Sequence, residues 1–146
     1  MTATFIRKPT VFVDTSAFYA LRDPDDAHHA SAVAAFLRLE RERAILSTTD
    51  HVMGEAATLI RAKLGFSTAR SFLLAIQESR AVGLLELQSP GWDDMEAAIA
   101  EFLRWSGPRF SFVDALSFVV CRRLGITRAL AFDDDFRAAG LEVISP

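Results

Sequence analysis

The feature that most constrains the fold is an alternation, along the whole chain, of short apolar runs with longer helical stretches. We expect buried strands at Thr10 to Val13, Ala44 to Leu46, Leu84 to Leu87, Ala129 to Phe132 and Leu141 to Ile144. We expect helices at Thr15 to Leu21, Ala27 to Arg41, Asp50 to Lys63, Ser67 to Ser79, Trp92 to Trp105, Phe112 to Leu124 and a short one near Phe136. Strands that alternate with helices build βαβ units. The sequence therefore predicts an α/β fold, a three-layer α/β/α sandwich with a central parallel sheet.

The size and composition of the chain are those of one globular domain with its own core. It has 146 residues, of which 51% are hydrophobic and 24% charged, so we expect a single domain over residues 1–146. No stretch approaches the ~20 consecutive apolar residues of a membrane span. Residues Met1 to Pro9 lack the apolar region of a secretory signal. We therefore expect a cytoplasmic protein with no membrane segment.

Cysteine usage and net charge exclude some classes of site. The lone cysteine, Cys121, follows the apolar residues 118–120, so we expect a buried core thiol and neither a disulfide framework nor a thiolate metal site. The net charge of −3 argues against a broadly basic surface for nucleic acid, although a local basic rim stays compatible with it.

Two of the apolar runs stop on an aspartate. Val11 to Val13 is followed by Asp14, and Leu130 to Phe132 is followed by Asp133. The carboxyl ends of parallel strands share one edge of the sheet, which is where open α/β sheets carry their sites. A structural role would also explain both residues, because aspartate at a strand-to-helix turn is a common helix cap. Asp133 to Asp135 could likewise be a solvated turn before a short helix.

Two further acids fall where a helix is expected to be apolar. Glu55 shares a predicted core stripe with Val52, Ala56 and Leu59. A buried carboxylate is costly unless it is paired or coordinated, so Glu55 is a candidate for a ligand.

Asp114 opens a helix that is apolar nearly all round, so its first turn is expected to enter the interior. It also fits a capping box, in which its carboxylate would reach back to the amide of Ser111. Both roles stay open for Asp114.

Four converging carboxylates would need a cation. Two like charges 4 Å apart repel by roughly 4 kcal/mol at an effective dielectric constant near 20. Carboxylate oxygens suit Mg²⁺, or Mn²⁺ as a substitute, whereas zinc normally recruits cysteine or histidine. We expect one or two Mg²⁺ ions, which would activate a water for hydrolysis of a phosphodiester. His28, His29 and His51 have no convincing metal-ligand spacing.

The ordered set of motifs resembles a PIN-domain nuclease, and more narrowly the VapC toxins of bacterial toxin–antitoxin pairs. The resemblance rests on Val11 to Ser16, Glu55 in a helix, Ser111 to Ala115, and Ala131 to Phe136 with Gly140. Each motif alone is weak, but their order and spacing match the family over nearly the whole chain.

The resemblance implies a role for each site residue. Asp14 and Asp114 would be the principal Mg²⁺ ligands, and Glu55 would complete the first metal site directly or through water. Asp133 would support a second ion or the nucleophilic water, with Asp135 a less favoured substitute. Ser16 would hydrogen bond within the site. The substrate would be RNA, cut endonucleolytically, and the partners a cognate antitoxin, whose tail fills the groove beside the site, and a second copy of the chain.

Other functions remain as alternatives. Haloacid-dehalogenase-type phosphatases need a second aspartate two residues after the first, where Ser16 stands, and receiver domains need adjacent acids near the first strand. A non-catalytic PIN-like binding module would show degraded acids, and the four acids here are intact. A PIN nuclease that processes RNA without an antitoxin is the closer rival.

Overall fold

The computed structural model describes residues 8–144. The prediction about the N-terminal segment therefore falls mostly on residues outside that range, and the assignment of residues 1–146 to a single domain stays a prediction.

Five parallel strands form one sheet, in the spatial order β3-β2-β1-β4-β5. The strands are β1 (Thr10–Val13), β2 (Ile45–Thr49), β3 (Leu85–Gln88), β4 (Arg128–Leu130) and β5 (Glu142–Val143). At the centre of the sheet Phe12 is in register with Ser47 on one side and with Ala129 on the other. The prediction of a central parallel sheet is confirmed.

Seven helices connect the strands of residues 8–144. They are α1 (Thr15–Arg22), α2 (His29–Arg41), α3 (Asp50–Leu64), α4 (Phe66–Ala81), α5 (Trp92–Arg104), α6 (Phe112–Leu124) and α7 (Asp135–Ala138). All seven predicted helices are present, because caps and glycines mark their ends. Thr49 caps α3 by accepting from the Val52 amide, and Gly125 ends α6 in the left-handed conformation.

The strand order places a topological switch point between β1 and β4. The chain runs outward from β1 through β2 to β3, and then crosses back to β4 and β5 on the other side of β1. With right-handed crossovers, α1 to α4 cover one face of the sheet and α5 to α7 cover the other. The crevice at the carboxyl ends of β1 and β4 is where such sheets bind ligands.

Phenylalanine rings from β1, α6 and α7 pack against one another in the core beneath this crevice. The Phe136 ring lies 6.2 Å from that of Phe12 and 4.9 Å from that of Phe118, centroid to centroid. All three side chains are almost fully buried. The short helix α7, with only four residues, is therefore anchored by its one buried ring.

Four of the five strands have bounds that differ from the prediction, and the differences at β2 and β4 affect the site. β4 ends at Leu130, whose carbonyl accepts from the Asp14 amide, and the Phe132 amide donates instead to the Ser16 hydroxyl. Asp133 thus lies in a loop after the strand and not directly at its end. β2 extends through Thr49, and its last three residues are buried hydroxyl residues, of which Thr48 donates through Oγ1 to the Val13 carbonyl of the neighbouring strand.

Two further observations concern the exclusions made from the sequence. Cys121 is a free, buried thiol, as expected. Within residues 8–144, no helix combines the length and apolar composition needed to cross a membrane.

Replacing Phe136 with alanine is expected to lower the free energy of unfolding by about 3–5 kcal/mol, because it removes a fully buried ring and leaves a cavity beneath the crevice. Urea unfolding followed by circular dichroism measures the change. The matched control is Phe66→Ala, whose ring is 62% exposed and lies near Arg61; it should cost no more than about 1 kcal/mol. Equal losses in the two variants would contradict the anchoring role of Phe136.

Candidate active site

Three aspartates distant in the sequence converge at the switch point. Asp14, Asp114 and Asp133 each offer a carboxylate oxygen, and these oxygens all lie within 4.8 Å of one another. They come from the end of β1, the first turn of α6 and the loop after β4. The structure thus brings together three of the four acids that the sequence singled out.

Asp14 is held by the start of α1. It is the N-cap of that helix, and its Oδ2 accepts from the Ser16 amide at 3.3 Å and from the Ser16 hydroxyl at 2.7 Å. The same hydroxyl accepts from the Phe132 amide at 3.0 Å. Ser16 therefore joins the end of β1 to the loop after β4, and the cap fixes the carboxylate at the crevice.

Asp114 is held by the capping box that its sequence context predicted. Its Oδ2 accepts from the Ser111 amide at 3.1 Å, and the Ser111 hydroxyl accepts from the Asp114 amide at 3.0 Å. The side chain is nevertheless buried, as the apolar character of α6 suggested. Capping and a place in the acid cluster are thus compatible roles of one residue.

Asp133 is held by its own loop. Its Oδ1 accepts from the Asp135 amide at 3.1 Å, which closes a local turn before α7. The side chain is half-buried, whereas Asp134 is exposed and Asp135 is outside the group of converging oxygens. Of the two acids that the sequence left as alternatives at this position, the structure brings Asp133 into the cluster.

Burial and mutual repulsion raise the pKa values of the three aspartates and so disfavour their charged forms. Burial, with a smaller contribution from the carboxylates of Asp114 and Asp133, raises the pKa of Asp14 to about 7, although the bond from Ser16 lowers it. Burial also raises the pKa of Asp114 to about 6, and the pKa of Asp133 is raised for the same reason. Close to neutral pH, part of the cluster is therefore protonated unless a cation compensates its charge.

The donor set fits a hard divalent cation. Three carboxylate oxygens within 4.8 Å of one another can contact one ion, and oxygen ligands of this kind select Mg²⁺ or Mn²⁺ over zinc. The neighbour of Asp14, Thr15, has a buried hydroxyl with no hydrogen-bond partner. A buried polar group left unpaired in a native structure is an exception that needs an explanation, and a water or an ion beside Asp14 would be one.

Glu55 does not lie where the sequence pattern placed it. Its side chain is exposed, and it is not among the acids that converge within residues 8–144. The prediction of a core-side position was wrong because the buried stripe of α3 runs through Val52, Ala56 and Ile60, four residues apart. At roughly 100° per residue, position 55 is displaced by about 100° from the centre of that stripe.

Two residues support the site although the sequence analysis assigned them no role in it. Thr48 braces the end of β1 through its bond to the Val13 carbonyl, next to Asp14. The Phe132 amide donates to the Ser16 hydroxyl, and the Phe132 ring stacks on that of His28, with ring centroids 4.7 Å apart. The three consecutive hydroxyl residues 47–49 at the end of a strand could have indicated the first, but nothing in the sequence pairs position 28 with position 132.

Comparison with known proteins gives consistent matches over nearly the whole chain. The sequence profile of the PIN domain matches residues 11–141. The 23S rRNA-specific endonuclease VapC20 of Mycobacterium tuberculosis is 36% identical over 137 residues, which cover 93% of this chain and 98% of the relative, in strains CDC 1551 / Oshkosh and ATCC 25618 / H37Rv.

Solved structures agree with the sequence matches. The crystal structure of Mycobacterium tuberculosis VapC20, described as a sarcin–ricin loop cleaving toxin, matches with a TM-score of 0.80 and 36% identity, over 93% of this chain and 99% of that one. PAE2754 from Pyrobaculum aerophilum matches with a TM-score of 0.56 and 20% identity, over 93% of this chain and 90% of that one, and shares the fold.

The matches agree with the α/β fold and the cluster of aspartates described above. Because the PIN profile covers most of the chain and the 36% identity to VapC20 extends over 93% of it, the resemblance to VapC-type nuclease toxins is confirmed. The chain belongs to the PIN domain family.

Proposed function

We propose that this protein is an endoribonuclease toxin that hydrolyses ribosomal RNA with Mg²⁺, or Mn²⁺ in its place, bound by Asp14, Asp114 and Asp133. The observation that carries the proposal is the convergence of these three buried or half-buried carboxylates at the switch point of the sheet. Such a cluster stabilises a divalent cation and is unfavourable without one.

The metal would supply the chemistry of the reaction, and the chain would supply its geometry. When bound, a divalent ion orients a water, lowers the pKa of that water and stabilises the charge that develops in an in-line attack on a phosphodiester. Ser16 would hold the Asp14 carboxylate in position, and the Ser111 amide would hold that of Asp114. Residues fixed in this way keep their orientation before the substrate arrives.

Asp133 and Glu55 would have the less direct roles. Asp133 would support a second ion or the nucleophilic water, since it lies in the cluster but is less buried than Asp14 and Asp114. Glu55 is exposed on α3, so its contribution to the first metal site would run through a water. Substituting Glu55 should accordingly weaken metal binding less than substituting Asp14.

The relatives support the choice of substrate. VapC20 is named as a 23S rRNA-specific endonuclease and as a toxin that cleaves the sarcin–ricin loop, and its identity with this chain extends over nearly the full length of both proteins. We extend the same substrate to this chain, which would place its activity in the cytoplasm, where ribosomes are. The toxin assignment also favours this function over RNA processing without an antitoxin.

The proposal includes two protein partners, a cognate antitoxin and a second copy of the chain. Large apolar side chains are exposed along two helices, α4 and α5: Phe66, Leu73, Leu74, Trp92, Ile99, Phe102 and Leu103. Because α4 and α5 lie on opposite faces of the sheet, each presents its own apolar surface, and such surfaces favour association with other proteins.

Asp114→Asn is expected to lower the rate of RNA cleavage at least ~100-fold, because it removes a ligand charge while the amide oxygen can still accept from Ser111. The assay follows cleavage of an oligoribonucleotide that contains the sarcin–ricin loop, in Mg²⁺. Asp133→Asn should also impair cleavage, and Asp135→Asn, at the start of α7, is its matched control. Undiminished cleavage by Asp114→Asn would overturn the role assigned to Asp114. Cleavage of unrelated RNAs alone would overturn the proposed substrate.

Mg²⁺ is expected to raise the melting temperature of the wild-type protein more than that of Asp14→Asn, since a ligand that binds only the folded state stabilises it. Asparagine preserves the cap of α1, so the variant should stay folded. Asp134→Asn removes an exposed acid next to the cluster and should respond to Mg²⁺ like the wild type. Equal shifts in wild type and Asp14→Asn would refute the metal site.

Without metal, the protein is expected to lose stability as the pH rises from 5 to 8. The pKa of Asp14 is raised in the folded state from 3.8 to about 7, so the folded chain binds more protons than the unfolded chain within this window. This one group would account for a loss of roughly 2–3 kcal/mol.

Urea unfolding in EDTA at several pH values measures this loss. Asp14→Asn has no such group and should show a flatter pH profile, and saturating Mg²⁺ should flatten the profile of the wild type. If wild type and Asp14→Asn lost stability in parallel, the carboxylate of Asp14 would not be the group responsible.

A further inference from the structure

A pocket of about 300 Å³ adjoins the acid cluster and shares Asp133 with it. It lies between the start of α2, the loop after β4 and α7, and its lining residues include His28, Ser31, Phe132, Asp133 and Arg137. Its volume is at the lower end of the range for small-ligand sites, about 300–1,000 Å³. A larger cavity, of about 500 Å³, lies at the opposite edge of the sheet, around Thr10, Ile45 and Arg128, away from the acids.

One wall of the pocket is a pair of stacked rings. The imidazole of His28 lies parallel to the ring of Phe132, with centroids 4.7 Å apart and an angle of 11° between the planes. Phe132 is half-buried against the core, and His28 is exposed. The pair therefore forms an aromatic face that solvent reaches at His28. Its inner ring belongs to Phe132, the residue before Asp133.

The backbone that carries this aromatic face is held by hydrogen bonds at both rings. The Phe132 amide donates to Ser16 Oγ, which in turn donates to Asp14. The His28 amide donates to Asp26 Oδ1 at 2.8 Å. The ring of His29 contacts the Ala20 carbonyl through Nδ1 at 2.7 Å, which fastens the start of α2 to α1. The backbone that carries the two rings is therefore already ordered before a ligand binds.

Arg137 supplies a positive charge at the same pocket. Its Nη1 lies 3.9 Å from Asp134 Oδ1, and both side chains are exposed. An exposed ion pair of this length contributes little to stability, so the guanidinium can exchange it for a phosphate at little cost.

We propose that this pocket binds one unpaired nucleotide of the RNA substrate beside the cleaved phosphodiester, with its base stacked on His28 and its phosphate paired with Arg137. The inference rests on the proposed function, because it assumes that RNA is bound at the acid cluster. Unstacked bases of RNA loops are bound in this manner, by aromatic rings together with arginine.

The lining of the pocket favours RNA over a protein partner. Alongside its rings and the small aliphatic side chains of Ala131, Val143 and Ile144, it has a hydroxyl, two carboxylates and a guanidinium, from Ser31, Asp133, Asp134 and Arg137. The large exposed apolar side chains lie elsewhere, mainly on α4 and α5. Because Asp133 lines both the pocket and the metal-binding cluster, a nucleotide in the pocket would be continuous with the one being cleaved.

The test is single-turnover cleavage in Mg²⁺ of intact RNA and of RNAs that carry one abasic nucleotide at each position around the cleavage site. His28→Ala should raise the half-saturating enzyme concentration by about 5- to 150-fold, the range expected for loss of one stacked base. The maximal rate should change much less. His28→Phe keeps a stacking ring and should restore most of the affinity.

The abasic series separates stacking from a structural effect. In the wild type, one abasic position next to the cleavage site should weaken binding by about the same factor as His28→Ala. In His28→Ala, that position should cost less than about twofold, because the two losses are the same contact. Arg137→Ala should weaken binding of intact and abasic RNA alike. The controls are His51→Ala and Arg80→Ala, whose side chains are not part of the pocket.

The outcomes distinguish the inference from the function on which it rests. If the wild type cleaves RNA and His28→Ala has the same half-saturation and the same abasic profile, the pocket does not bind a base and the inference is wrong while the function stands. If His28→Ala and Arg137→Ala leave RNA cleavage unchanged but weaken binding of an antitoxin, the pocket is a protein interface and the inference is again overturned. If the wild type cleaves no RNA in Mg²⁺ or Mn²⁺, both fail.

Discussion

The buried convergence of like charges at the switch point is the constraint on which the rest of this structure depends. Three carboxylate oxygens lie within 4.8 Å of one another, and repulsion at such a distance costs several kcal/mol in a partly desolvated site. The fold sustains this arrangement because each carboxylate also accepts a hydrogen bond from a backbone amide, those of Ser16, Ser111 and Asp135. A divalent cation bound to the three carboxylates would compensate the remaining repulsion between them.

Ser16 has an importance beyond that of an ordinary helix residue. Its hydroxyl donates to Asp14 and accepts from the Phe132 amide, so it links the ends of two strands that are more than one hundred residues apart in the chain. This link ends the β4 ladder early and turns the following residues toward the crevice. Asp133 then reaches the acid cluster, and the Phe132 ring lies against His28. Metal binding and the proposed binding of a nucleotide thus depend on the same local geometry.

Asp14 and Asp114 show why a structural and a functional interpretation of one residue need not compete. Both acids cap helices, as the sequence suggested, and both lie in the cluster. A cap fixes a carboxylate at a helix N-terminus, where the positive end of the helix dipole also favours its charge. Glu55 lacks this support. Its place was inferred from helical periodicity alone. Glu55 is one residue, or about 100° around the helix, away from the buried Ala56, and its side chain is exposed.

The sequence by itself determined the class of the fold and the order of its helices, and it indicated caps at Asp14 and Asp114 without deciding between a cap and a site residue, because periodicity, caps and glycines are local properties of the chain. It also determined the family, since the acids occur in a characteristic order. Only the tertiary structure decided that Asp133 and not Asp135 joins the cluster, that Glu55 is exposed, and that His28 stacks on Phe132. These outcomes depend on where β4 ends and on how α2 packs beside the loop after it. Such long-range contacts leave no periodic pattern in the sequence from which they could be predicted.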